Sequence, residues 1–140
     1  MMHRYTVEFR ISGETLHPEE ITAMLGLKPT TSWHAGDIVG QRPRTAGMWG
    51  YAPGGKWRQW QSLEPAVAAL LDELEPLAPR IKDLQSSYDA YFWCCHFNPE
   101  VAGGPRLSPA VLKRLAALEV EIYLDTHFVR DDAQDIGCTP

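Results

Sequence analysis

Residues 16–33 read L-H-P-E-E-I-T-A-M-L-G-L-K-P-T-T-S-W and describe a helix with a defined start and end. Pro18 suits the first helical position, where its missing N–H would have no partner, and two glutamates follow it in the first turn. Gly26 suits the residue after the last turn because glycine readily adopts the left-handed conformation. Pro29 prevents the helix from resuming. The stretch therefore predicts a short amphipathic helix over residues 18–25.

The same pattern recurs in residues 107–118, where Ser108 caps a second helix and Pro109 opens it. An alternating strand over residues 4–12 precedes the first helix, and an apolar strand over residues 88–97 precedes the second. Another extended segment follows each helix. The pattern predicts two strand–helix–strand halves, although proline-initiated helices are common enough for a chance match.

Two such βαβ halves predict an α+β, ferredoxin-like fold. We expect a mixed, mainly antiparallel sheet of about five strands with helices on one face. Between the halves, residues 47–51 suggest a short strand, and residues 56–61 suit either a hairpin arm or the approach to a helix. Leucines at helical spacing predict helices over residues 63–74 and 77–84. Residues 1–128 are expected to form a single domain, with a flexible acidic tail over residues 129–140.

Composition favours a soluble globular protein. The chain has 140 residues, of which 44% are hydrophobic and 22% are charged. No apolar run is long enough to cross a bilayer, so no membrane association is expected. The three cysteines are odd in number and two are adjacent, which does not suit a disulfide framework. These features predict a cytoplasmic protein.

Charge is unevenly distributed along the chain, whose formal net charge is -5. Residues 1–60 hold seven Lys/Arg against five Asp/Glu, whereas residues 61–140 hold six against thirteen. Residues 40–60 contain four basic residues and no acid, together with three of the five tryptophans. A net acidic protein is a poor general binder of nucleic acid. The basic segment instead suits an acidic protein partner.

The chain resembles the bacterial family known as domain of unknown function 4279. The resemblance lies in F-R-I-S-G at residues 9–13 with L-H-P-E-E-I at residues 16–21, and in L-G-L-K-P-T at residues 25–30 with Gly36-Asp37. It continues through Gly47-Met48-Trp49, the leucine-rich helix, Leu107-Ser108-Pro109 and Tyr123. It covers most of residues 4–125, and residues 54–60 depart from the pattern. The resemblance supports the fold and implies no established activity.

The leading functional prediction is a non-catalytic protein-binding module. Aromatic residues beside arginine are typical of interface hot spots. We therefore assign partner binding to basic and aromatic residues of the segment Gly40–Trp60, namely Arg42, Arg44, Lys56, Trp57 and Arg58. An immunity-type protein that neutralises a toxin of the same cell lineage is one form of this prediction. The partner's identity and the oligomeric state stay open.

The alternative prediction is a small enzyme or ligand-binding protein with a pocket near His34 and Asp37. A histidine held by a carboxylate could serve as a general base. The two residues lie close together after the second strand, but no nucleophile motif accompanies them. They would gain support if they converged with Arg42 and Arg44 in one concave pocket.

No cofactor or metal is expected. The run from Gly50 to Lys56 has the glycine and lysine spacing of a phosphate-binding loop, but Trp57 stands where Ser or Thr should hold magnesium. In a strand, Cys94 and His96 share a face and Cys95 points to the other. Further ligands such as His34, His127 or Cys138 are not selected by any paired short spacing, so core packing is the default interpretation.

Overall fold

The computed structural model describes residues 2–100 and 102–129. In chain order these residues form β1 (Arg4–Gly13), α1 (Pro18–Leu25), β2 (Thr31–Trp33), β3 (Ile38–Val39), β4 (Arg42–Pro43), β5 (Gly47–Tyr51), α2 (Leu63–Leu74), α3 (Ala78–Gln85), β6 (Asp89–Asn98), α4 (Pro109–Leu118) and β7 (Glu121–Phe128). Short 3₁₀ turns precede α2 and α3. The helices and the strands come from both halves of the chain.

Five strands form one mixed sheet in the order β2-β5-β1-β6-β7. The pairs β2–β5, β5–β1 and β1–β6 are antiparallel, and β6–β7 is parallel. β1 lies in the centre because both of its edges are paired along the strand. The strands β3 and β4 form a separate two-stranded ribbon between β2 and β5.

One face of the sheet, which we call the helical face, is packed against the helices. It receives alternate side chains of β1, including Val7 and Phe9, together with Trp49 of β5 and Phe92 of β6. These meet buried residues of all four helices, including Leu70. Burying this apolar surface is the main favourable term in folding.

The opposite face of the sheet, which we call the second face, receives the intervening side chains. Glu8 and Arg10 of β1 lie there, and their register partners on β6 are Trp93 and Tyr91. A smaller apolar cluster of Trp93, Cys95 and Phe97 forms on this face, and Trp57 packs against it. Within the described residues, no helix contributes to this cluster.

The α+β class is confirmed, and so is a mixed, mainly antiparallel sheet of five strands. Each half has its strand–helix–strand unit, but the halves differ in one respect. In the first half β5 lies between the two strands of the unit, whereas β6 and β7 are direct neighbours. The ferredoxin-like arrangement is therefore not established by this strand order. The predicted tail over residues 129–140 lies outside the described residues, apart from Val129.

Local predictions were least accurate between residues 30 and 61. The extended segment expected after α1 forms a strand only over Thr31–Trp33, because the chain then turns into the β3–β4 ribbon. Residues 56–61 form no helix and join the sheet only through a bridge between Trp60 and Tyr5. Among the described residues, no helix has the length and apolar character needed to cross a membrane.

The opening stretch is anchored to the sheet by a close backbone approach. Gly26 ends α1 in the left-handed conformation, as predicted, and its N–H donates to the Thr22 carbonyl at 2.8 Å. Just before α1, the carbonyl oxygen of Leu16 lies over Gly47 of β5, where a Cβ atom would collide with it. Because the obstacle is backbone, a side chain at residue 47 would push the start of α1 away from the sheet.

We predict that Gly47→Ala lowers the free energy of unfolding by about 2 kcal/mol or more, because a well-packed site must shift to admit the methyl group. Urea denaturation monitored by circular dichroism measures this change. Gly104→Ala is the matched control, since a Cβ there meets nothing within 4 Å, and it should alter stability by about 0.5 kcal/mol or less. Equal stability of the two variants would contradict the close approach.

Candidate functional site

A row of two arginine and three tryptophan side chains crosses the second face. It runs from Arg44 through Trp33, Arg10 and Trp93 to Trp57, and we call these five residues the Arg–Trp row. The guanidinium carbons of Arg44 and Arg10 lie 4.6 Å and 6.0 Å from the centre of the Trp33 ring. Arg10 also stacks on Trp93 at 3.6 Å, and the ring centres of Trp93 and Trp57 are 6.2 Å apart. The row thus joins distant parts of the chain into one surface.

The centre of the row is held by a buried carboxylate. Glu8 is fully buried, and its Oε1 accepts a hydrogen bond from Nε of Arg10 at 2.6 Å. Burial raises the pKa of the Glu8 carboxyl, while Arg10 acts in the opposite direction. The carboxylate fits because Gly50 lies beneath it, where a Cβ would stand 2.7 Å from the carboxyl carbon. Glu8 therefore orients the side chain of Arg10 and partly neutralises its positive charge.

The outer parts of the row are held by hydrogen bonds of the backbone. The Trp33 indole N–H donates to the Ala46 carbonyl at 3.1 Å, which fixes the plane of the ring. The Arg44 N–H donates to the carbonyl of Asp37 at 2.8 Å, and its own carbonyl accepts from Gly36 at 2.7 Å. Trp33 and Arg44 therefore keep their relative positions without a partner.

The five residues predicted to bind a partner are divided between two regions. Arg42 lies in the ribbon and Arg44 at its base, while Lys56, Trp57 and Arg58 lie beyond β5. All four basic side chains are exposed and Trp57 is half-buried. Arg58 stacks on Trp60 at 3.6 Å. β5 lies between these two regions and is a buried strand of the sheet. Residues 40–60 therefore do not form one continuous exposed segment.

Neither His34 nor Asp37 lines a cavity of about 190 Å³ that lies beside the Arg–Trp row, between β1 and the base of the ribbon. Nε2 of His34 lies 2.7 Å from Oε1 of Glu19, and the His34 backbone N–H donates to Oδ2 of Asp37 at 2.8 Å. Glu19 has its pKa lowered by its own backbone N–H and by His34. The histidine is thus directed towards α1, and Asp37 closes a turn. The catalytic assignment of these two residues stays a prediction.

This cavity of about 190 Å³ opens on the second face between β1 and the base of the ribbon. Its lining includes Arg10, Arg44, Trp33, Ser12 and Tyr91. Both arginines of the Arg–Trp row therefore line one concave site, which Arg42 does not line. Sequence reasoning placed Arg44 among the binding residues and missed Arg10.

A histidine pair at the other end of β1 was also missed. Nδ1 of His3 lies 2.8 Å from Nε2 of His96, and its Nε2 lies 3.0 Å from Oε1 of Glu100. The Tyr5 ring stacks on the His96 ring at 4.5 Å. Burial, reinforced by His3, lowers the pKa of His96. The adjacent cavity of about 390 Å³ is lined by Tyr5 but by neither histidine, so no catalytic role is assigned to the pair.

The cysteines behave as core residues. Cys94 faces the helical core, where burial raises the pKa of its thiol to about 12 and disfavours the thiolate that metals bind. Cys95 faces the other way, as predicted, beside Asp125 and His127, with one ligand atom of each within 4.8 Å of the others. No metal-binding role is assigned to this group of three side chains.

Comparison with protein families identifies one match. Residues 3–129 match the family described as Domain of unknown function (DUF4279). The chain belongs to this family. No curated protein and no solved structure matches the chain. Membership in the DUF4279 family confirms the resemblance seen in the sequence and assigns no activity.

We predict that the contribution of Glu8 to the free energy of unfolding falls as pH rises through the mildly acidic range. Because burial raises its folded-state pKa, folded Glu8 retains a proton at pH values where unfolded Glu8 has lost it. The free energy of unfolding of wild type minus that of Glu8→Gln should therefore fall as pH rises above the ordinary glutamate pKa of 4.5. Urea denaturation between pH 4 and pH 8 measures the difference.

Glu14→Gln, which removes an exposed carboxyl after β1, provides the baseline for that series. A difference between wild type and Glu8→Gln that grows with pH would show that Arg10, and not burial, dominates the titration of Glu8. That result would contradict the assigned cause.

Proposed function

We propose that this member of the DUF4279 family is a non-catalytic protein-binding module whose partner meets the Arg–Trp row and the neighbouring basic side chains. The observation that carries the proposal is the row itself. Tryptophan and arginine are enriched among the residues that contribute most to protein interfaces, and such residues cluster near the centre of the contact. Here they are clustered and held in place before any partner binds.

Unpaired positive charge supports a partner with an acidic surface. Among the described residues, Arg42, Arg44, Lys56 and Arg58 have no ion pair, although the whole chain has a net charge of -5. By contrast, Arg114 on the helical side is paired with Asp72 at 2.6 Å. A surface of unpaired cations steers an acidic partner and raises its association rate.

The exposed ribbon extends this surface. Ile38 of β3 is 75% exposed beside the basic residues of the ribbon. A large aliphatic side chain next to arginines supplies apolar area for an interface whose rim is charged. Ile38 and Arg42 therefore suit the edge of the contact, with the Arg–Trp row at its centre.

An immunity-type protein is one concrete form of the proposal, in a bacterial cytoplasm. Such a protein would neutralise a toxin of the same cell lineage by binding it. The test below does not depend on the partner's identity.

Capture of partners from a lysate of the source cell, followed by titration calorimetry with the captured protein, tests the surface. We expect Trp57→Ala to weaken binding about tenfold or more, and Arg58→Ala to weaken it less. The controls are Leu112→Ala and Lys113→Ala, which remove one apolar and one basic exposed side chain from α4 on the helical side. Both should bind like wild type.

Thermal unfolding of each variant confirms that it is folded before binding is compared. Unchanged affinity in Trp57→Ala would contradict the proposal. Equal losses in the α4 controls would place the contact on the helical side of the molecule and contradict it as well. Failure of the wild-type chain to capture any protein would also count against it.

A further inference from the structure

The cavity of about 190 Å³ beside the Arg–Trp row is lined by positively charged residues and, within the described chain, by no negatively charged one. Two arginines line it, and Ser12, whose hydroxyl can donate a hydrogen bond, lines it as well. Its lining residues, all within the described chain, include no acidic residue. Arg10 is compensated by Glu8 beneath it, whereas Arg44 has no ion pair among the described residues. The cavity therefore carries one uncompensated positive charge.

Stacking leaves the donors of both arginines available. In a cation–π contact the guanidinium presents its flat face to the ring, so its in-plane N–H groups point away from the ring. Arg44 and Arg10 contact the same Trp33 ring, and Nε of Arg10 is the atom engaged by Glu8. Because both arginines line the same cavity, their remaining N–H groups are available to one small oxyanion, a group to which arginine donates paired hydrogen bonds.

The cavity is also organised in advance. Hydrogen bonds hold the side chains of Trp33 and Arg10 to Ala46 and Glu8, and backbone hydrogen bonds to residues 36 and 37 fix the main chain of Arg44. Ordering of long side chains is a major cost of binding, and here part of that cost is met during folding. A charged group that enters the cavity would replace water without rearranging the strands.

We propose that this cavity binds one oxyanion, a carboxylate or a phosphoryl group, on a side chain of the protein partner. The proposal rests on the proposed function and names the chemistry that the partner must present. Arg44 is the principal recognition residue, Arg10 is the second donor, and Trp33 positions both. The partner therefore inserts an acidic or phosphorylated side chain between β1 and the base of the ribbon.

The test is a nuclear magnetic resonance titration of the ¹⁵N-labelled full chain with three hexapeptides that differ only in one central residue. The residue is glutamate, phosphoserine or glutamine. We expect the Trp33 indole N–H resonance, assigned by its loss in Trp33→Phe, to shift saturably with one or both anionic peptides and not with the glutamine peptide. Whichever of the two anionic peptides binds more tightly identifies the source of the oxyanion.

Two arginine variants distinguish the cavity from general attraction between opposite charges. Arg44→Gln should weaken peptide binding about tenfold, the loss expected for one charge-assisted hydrogen-bonded contact. Arg42 lies two residues before Arg44 and does not line the cavity. Arg42→Gln removes the same charge as Arg44→Gln, and it should change affinity less than about twofold. Equal effects of the two variants, a shift with the glutamine peptide, or no saturable shift would overturn the proposal.

Partner capture separates the failure of this proposal from failure of the proposed function. If Trp57→Ala loses the partner while Arg44→Gln keeps it at wild-type affinity, the binding surface stands and the oxyanion site is overturned. If the anionic peptides bind at Arg44 but no protein is captured, the site stands and the protein-binding function fails.

Discussion

The alternation of side chains along β1 is the constraint on which the rest of the structure depends. β1 is paired on both edges, with β5 and with β6, so its side chains can leave only above and below the sheet. One set, which includes Phe9, is buried under the helices, and the other set, which includes Glu8 and Arg10, forms the second face. A shift of one residue in register would exchange the two sets. Stability and the candidate binding surface are therefore set by the same strand.

Burial of the Glu8 carboxylate lowers the free energy of unfolding, and an apolar side chain at the same position would avoid that loss. Desolvation of a carboxylate is unfavourable, and one of its oxygens, Oε2, has no hydrogen-bond partner among the described residues. An apolar residue at this position would pack without that cost. What the carboxylate supplies is a fixed orientation for Arg10 between Trp33 and Trp93. The arrangement is easier to explain by binding than by stability.

Sequence reasoning was most accurate where local chemistry determines the outcome. Pro18 and Gly26 defined α1 because the ends of a helix depend on residues within one turn, and alternation placed Glu8 and Arg10 on one face of a strand. The β3–β4 ribbon was missed because its four residues carry no periodic signal. Arg10 and Trp93 were missed as site residues because their contact depends on the pairing of β1 with β6, which no local pattern encodes.

The candidate surface was therefore predicted in its composition and not in its geometry. Arg44 and Trp57 were recognised from a basic, tryptophan-rich segment. They lie on opposite sides of β5 in the sequence, and the residues that connect them come from β1, β2 and β6. Trp33 was not assigned to the surface from the sequence, and it is half-buried within the row.

The central claim is that Arg10 links tryptophans on a face separate from the helical core. The most direct measurement is the set of five indole N–H resonances in wild type and in Arg10→Gln. Our account predicts shifts for Trp33 and Trp93, which Arg10 contacts, and none for Trp49, whose indole N–H donates to Thr22 at 3.0 Å on the helical face. Unchanged Trp33 and Trp93 resonances, or an equal shift of Trp49, would contradict it.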